Sequence, residues 1–112
     1  MNIDRIFEEI RKERQRQDDK FGEQNHPMLG VSCDMFSDYK KKQFPTTAAL
    51  KNALERSRER RKTDMFGWFD ILLEEVCEAF TETEPEKQRK EMIQVAAVAV
   101  AIIEYLDRRM VQ

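Results

Sequence analysis

Two helical runs flank a short break at Thr81-Glu82-Thr83-Glu84-Pro85, and this pairing constrains the chain more than any other feature. The first run carries Glu74-Glu75-Val76-Cys77-Glu78, and the second opens on Glu91-Met92-Ile93-Gln94. Side chains three or four positions apart share a helix face, so Glu75 projects with Glu78 and Glu91 with Gln94. A break this short favours antiparallel neighbours, an αα-hairpin. In such a hairpin Glu78 lies level with Glu91, and Glu75 with Gln94. Three carboxylates and one amide then meet at one height. Like charges in a poorly solvated cleft repel and raise each other's pKa. A hard cation such as Mg²⁺, or Mn²⁺ in its place, resolves that conflict with oxygen ligands and keeps room for water and phosphate. The plainer reading of acidic residues at this spacing is a solvated helix face.

The remaining chain reads as helix wherever it has a period. Ile3, Ile6, Phe7 and Ile10 set an apolar stripe on a first helix over residues 2 to about 19, with Asn2 or Asp4 at its start. Glu9 and Glu13 are spaced to pair with Arg5, Lys12 or Arg16. From Lys20 to Pro45 the period is lost, apart from a short helix expected over Asp34–Lys42. Within that stretch Gln24, Asn25 and His26 offer donors and acceptors suited to a base edge or a ribose, or else form an ordinary surface loop.

A second helix is expected from Thr46 or Thr47 to about Lys62, ending in Arg56, Arg58, Arg60, Arg61 and Lys62. Those cations complement the helix dipole, or one or two of them reach a triphosphate. Asp64 is the expected N-cap of a third helix over about 65–82, with Phe69, Leu73, Val76 and Phe80 facing the core. Trp68 packs in that core or stacks on a base. Thr83 with Glu86 fits a capping box for a fourth helix over Pro85–Arg109. Between Met92 and Ile103 every residue but Gln94 is apolar. That run is too short for a membrane span of about 20 residues. A helix apolar all round is buried on every side, which so small a chain can hardly provide alone. A homodimer or homotetramer is therefore expected, and Gln94 needs a polar partner inside it.

Composition narrows the functional classes. Charged residues make up 38% of the 112 and the net charge is -2, so no positive field points to nucleic acid or an anionic membrane. Cys33 and Cys77 are too few for a disulfide framework, and the charged start carries no export signal; the expected compartment is the cytoplasm. One histidine leaves little for a Ser-His-Asp or Cys-His site, a zinc site, or a Glu-x-x-His di-iron bundle. The expectation is one all-α domain over 1–112: four main helices in a bundle, with a long loop between the first two.

These residues resemble the MazG-like all-α nucleoside triphosphate pyrophosphohydrolases of the small phage and bacterial type. The shared features are the EExxE of 74–78, the spacer and Glu91-x-x-Gln94. They extend to the Glu13–Pro27 segment, with its Lys-aromatic-Gly-x-Gln-Asn-His-Pro end, and to the Val-Ala-Ala-Val of 95–98. The resemblance implies Mg²⁺-dependent hydrolysis of a (d)NTP to the monophosphate and pyrophosphate. It makes Glu75, Glu78, Glu91 and Gln94 metal ligands. Glu74, with Glu75, would act in catalysis, binding the metal through water or orienting the attacking water. Lys20 and Arg56 would bind phosphate, and Gln24, Asn25 and Trp68 the nucleoside. Gln94 stands where the family pattern has Asp, so this ligand brings no charge. That departure leaves two alternatives open: a catalytically silent helical interaction protein, or a nucleotide sensor without turnover.

Overall fold

A buried carboxylate, Asp70, fixes how the central helices meet. In a computed structural model, which describes residues 2–26 and 46–111, four helices follow one another: α1 (Asn2–Phe21), α2 (Thr46–Arg60), α3 (Trp68–Thr81) and α4 (Pro85–Met110). The described residues contain no strand, so the expected all-α class holds. The helix expected at 34–42, and Cys33, lie outside them. Two compact units form: α1 with the end of α4 from Val100, and α2 and α3 with α4 up to Ala99.

In the first unit α1 runs slightly past its expected end and stops at Gly22. The left-handed φ of 69° there lets the Gly22 N–H reach the Asp18 carbonyl at 2.8 Å. Its polar surface is stitched by Arg11–Glu8, Arg14–Asp18 and Arg16–Glu13 pairs one turn apart, exposed contacts that solvent screens. Glu13 thus takes Arg16, as its spacing allowed, whereas Arg5 pairs with Asp107 near the end of α4 at 3.7 Å. Ile6 is buried, but Ile3, Phe7 and Ile10 of the same stripe remain exposed.

The second unit is built on α2 packed along α3. Ala53 and Ser57, one turn apart on α2, are buried, as are Cys77 and Ala79 on α3. Small side chains at this contact let the two backbones approach closely. Two boundaries differ from expectation. Helix α2 stops at Arg60 rather than Lys62, because the Thr63 N–H and hydroxyl both donate to the Arg60 carbonyl, at 3.0 and 2.8 Å. Helix α3 begins at Trp68, not near 65, and its N-cap is Gly67 rather than Asp64. The Asp70 carboxylate accepts the Gly67 N–H at 3.0 Å and so makes the reciprocal half of a capping arrangement. Phe69, expected in the core, is 60% exposed beneath the Arg56 guanidinium, 5.0 Å from its ring centre.

At the hairpin break Glu82 adopts an extended conformation, and its carboxylate accepts the N–H groups of Thr83 and Glu84 at 3.1 and 3.3 Å. This local contact takes the Thr83 N–H that the expected Thr83–Glu86 capping box would have served; no such box occurs among the described hydrogen bonds. The Gln88 amide then donates to the Ala79 carbonyl at 3.0 Å, fastening α4 to α3. Along α4 only Val100 is buried; Ile93, Gln94, Ala96 and Ala97 are exposed. The run expected to be enclosed on all sides is therefore open on one side within a single chain. No described helix is long and apolar enough to cross a membrane.

Asp70, 2% exposed, lies 3.1 Å from Arg60 Nε and 3.2 Å from Arg56 Nε. Burial pushes its carboxyl pKa up, but the Gly67 N–H and the Arg60 and Arg56 charges outweigh that, holding it below its ordinary 3.8. A depressed carboxyl stabilises the fold where it is ionised, so the contribution is complete at neutral pH. It disappears as pH falls from about 3.8 through the lower folded value. Asp70→Asn should lower Tm several-fold more than Glu59→Gln in the exposed Lys62–Glu59 pair, and should flatten the acid limb of a Tm-against-pH series.

Candidate metal centre

Helix α3 presents Glu75 and Glu78 from successive turns, and α4 presents Glu91 across the hairpin. One carboxylate oxygen from each lies within 4.8 Å of the other two, and all three side chains are half-buried. An octahedral Mg²⁺ with oxygens at about 2.1 Å sets its ligand atoms about 3.0–4.2 Å apart. Slight closing of the trio therefore matches such an ion. Glu75 Oε2 is enclosed with no hydrogen-bond partner, and so is Thr81 Oγ1. A cavity of ≈ 380 Å³ lined by Leu50, Glu78, Thr81, Glu82 and Glu91 opens beside the trio.

The electrostatics follow from that crowding. Burial is the main force raising the Glu75 pKa, with the charges of Glu91 and Glu74 adding to it. Burial likewise leads in raising Glu78, followed by Glu75, Glu91 and Glu74. Acceptor-only groups that ionise reluctantly for want of a counter-charge are a fitting donor set for a hard divalent cation. The cluster of three glutamates could thus hold a metal ion.

The other expected site residues are distributed differently. Glu74 is half-buried in the wall of a second cavity, yet its charge reaches both Glu75 and Glu78. Gln94 is exposed, one turn beyond Glu91. Its expected burial was inside an oligomer; within the single chain the neighbouring Ile93, Ala96 and Ala97 are exposed as well. Arg56 is held by Asp70 and stacked on Phe69, a structural engagement that competes with the expected phosphate contact. Trp68 is half-buried at the first position of α3.

Lys20, Gln24 and Asn25 belong to the α1 unit and the glutamate trio to the other. Lys20 lies 5.2 Å from the Phe21 ring centre, Gln24 Nε2 is 3.4 Å from His26 Nε2, and Asn25 donates to Glu23 at 3.0 Å. Gln24 also lines a cavity of ≈ 550 Å³ with Arg14, Asp18, Gly22 and Glu23. Sequence reasoning passed over Asp70, Ser57, Thr81 and Gln88. Of these only Asp70 carried a signal, as an acid three residues after a glycine and within reach of the arginines ten and fourteen positions earlier.

For Glu75 and Glu78 the folded pKa is raised above 4.5. Their contribution to stability is therefore fully present below about 4.5 and is lost as pH rises through the folded values. Without divalent cation, Glu78→Gln should raise Tm at neutral pH, and that gain should vanish as pH approaches 4.5. Added Mg²⁺ or Mn²⁺ should raise the parent's Tm in a concentration-dependent way and leave the variant unmoved, as read by thermal denaturation in buffered series.

Comparison of the chain with family models, curated proteins and solved structures gave no match.

Proposed function

We propose that the chain is a nucleoside triphosphate pyrophosphohydrolase, with Glu75, Glu78 and Glu91 holding Mg²⁺, or Mn²⁺, between α3 and α4. The observation that carries this reading is the convergence of three half-buried carboxylates from two helices to within 4.8 Å. Such an arrangement is costly in the bare protein and useful once a cation arrives. A bound divalent ion neutralises charge developing on phosphate oxygens and acidifies water. In this reading Glu74, whose charge acts on Glu75 and Glu78, orients the attacking water and accepts its proton. The water oxygen bonds to phosphorus, the α–β anhydride bond breaks, and pyrophosphate leaves with the nucleoside monophosphate as the other product. Gln94 offers a neutral oxygen one turn from Glu91; an amide can ligate a hard cation but adds no charge, so a phosphate-bearing substrate would complete the site.

Pyrophosphate release from a panel of NTPs and dNTPs is the deciding measurement. Release is expected with Mg²⁺ for at least one nucleotide, falling to background in Glu75→Gln and Glu78→Gln. No release from any nucleotide, or release indifferent to both substitutions, overturns the reading. The uncharged Gln94 favours the second reading, a non-catalytic interaction protein or a nucleotide sensor. A calorimetric binding signal with a blank product assay would select the sensor.

The exposed apolar side chains of Ile3, Phe7 and Ile10 on α1 and Ile93 and Leu106 on α4 support a homodimer or homotetramer, in keeping with a cytoplasmic enzyme. Sedimentation velocity should give a mass above the 13.4 kDa monomer, and Phe7→Glu should shift it downwards. A monomeric parent would remove the oligomer from the proposal.

A further inference from the structure

The C-terminal end of α2 divides its cations into two sets. Asp70 engages Arg56 and Arg60, and Glu59 engages Lys62 at 3.4 Å. Arg58, in the last turn of α2, and Arg61, just past its end, have no carboxylate partner among the described residues. Together with Leu54, Ser57 and Glu74 they line a cavity of ≈ 330 Å³. The Arg61 guanidinium lies 4.0 Å from the centre of the Phe66 ring. Stacking employs its face and leaves the N–H edge available, in a fixed plane.

Ser57 supplies an independent sign. It is 2% exposed, yet its hydroxyl has no hydrogen-bond partner. Buried hydroxyls are nearly always bonded, and leaving one unmet is costly. Here the orphan sits in the wall of a cavity that also holds two unpaired guanidinium groups.

We propose that Ser57, Arg58 and Arg61 form a binding site for a phosphate-class oxyanion. Several acceptor oxygens on one centre match two guanidinium groups and one hydroxyl donor. Glu74, in the same wall, would repel a simple carboxylate. A phosphate group that retains a proton near neutrality, with a second pKa of about 6, donates that proton to Glu74 instead. The C-terminal end of a helix dipole disfavours an anion, which is why two cations are required here. The site deepens the hydrolase reading, on which it rests only for the source of the phosphate. Glu74 is the shared wall: its carboxylate borders this cavity while its charge bears on Glu75 and Glu78.

The test is calorimetric titration of the full chain in EDTA with pyrophosphate, inorganic phosphate, a nucleoside monophosphate and acetate. Saturable binding of at least one phosphate compound, and none of acetate, is expected. Arg58→Gln, at an exposed position and with a circular dichroism spectrum expected to match the parent's, should weaken binding about tenfold. Ser57→Ala should weaken it a few-fold without lowering Tm. Arg89→Gln, an exposed cation on α4, should change nothing. Tighter pyrophosphate than monophosphate identifies the free oxyanion as occupant; the reverse order identifies a nucleotide's own phosphate. Absence of binding in EDTA, equal binding of acetate, or an equal loss in Arg89→Gln overturns the site. Because the titration is metal-free, nucleotide hydrolysis with blank titrations removes the anion site alone. Saturable binding with no hydrolysis removes the hydrolase reading alone.

Discussion

The α2–α3 pairing turns on one buried charge. Asp70 binds the N–H of its own helix cap and draws two arginines from the preceding helix, so one carboxylate sets both where α3 starts and how it lies against α2. An ionised carboxylate this enclosed is tolerated only when its oxygens are compensated. The three compensating groups come from different turns of chain, and that requirement specifies the corner between the helices. Since α3 carries the EExxE segment, the rotation of Glu74, Glu75 and Glu78 about the helix axis follows from the same constraint.

The opposite electrostatic treatment appears at the other end of α3. Near Asp70 two arginines compensate the charge, whereas no ion pair to Glu75, Glu78 or Glu91 occurs among the described residues. One helix thus carries a charge-compensated acid at its N-terminus and an uncompensated cluster on its later turns. The first is what a fold needs. The second lowers stability at neutral pH and could hold a metal ion. The α2 terminus shows the same division among its cations, between arginines committed to Asp70 and those left facing a cavity.

Much of this was legible in the residue order. The four helices follow from apolar spacing and from the breaks at Gly22 and Thr81–Pro85, and the level placement of Glu78 and Glu91 follows from hairpin arithmetic. The boundaries at Arg60 and Trp68 were not legible, because they depend on the Thr63 hydroxyl and on Asp70 reaching back to Gly67, and side-chain hydrogen bonds of this kind compete with helix propensity. Phe69 was misplaced because its period suits the core while an arginine across the gap covers it at the surface. The exposure of Gln94 in the single chain was not legible either, because a continuous apolar run does not say which of its faces one chain covers.

The sequence by itself determined an all-helical chain, the hairpin, and the pairing of three acids at one height, since these rest on helical period and loop length. Only the tertiary structure decided which charges are neutralised. Arg56 and Arg60 went to Asp70, Arg58 and Arg61 to a cavity, and the glutamate trio to one another. Compensation of charge depends on through-space distances of a few ångströms between residues ten or more positions apart. Spacing along the chain does not contain those distances.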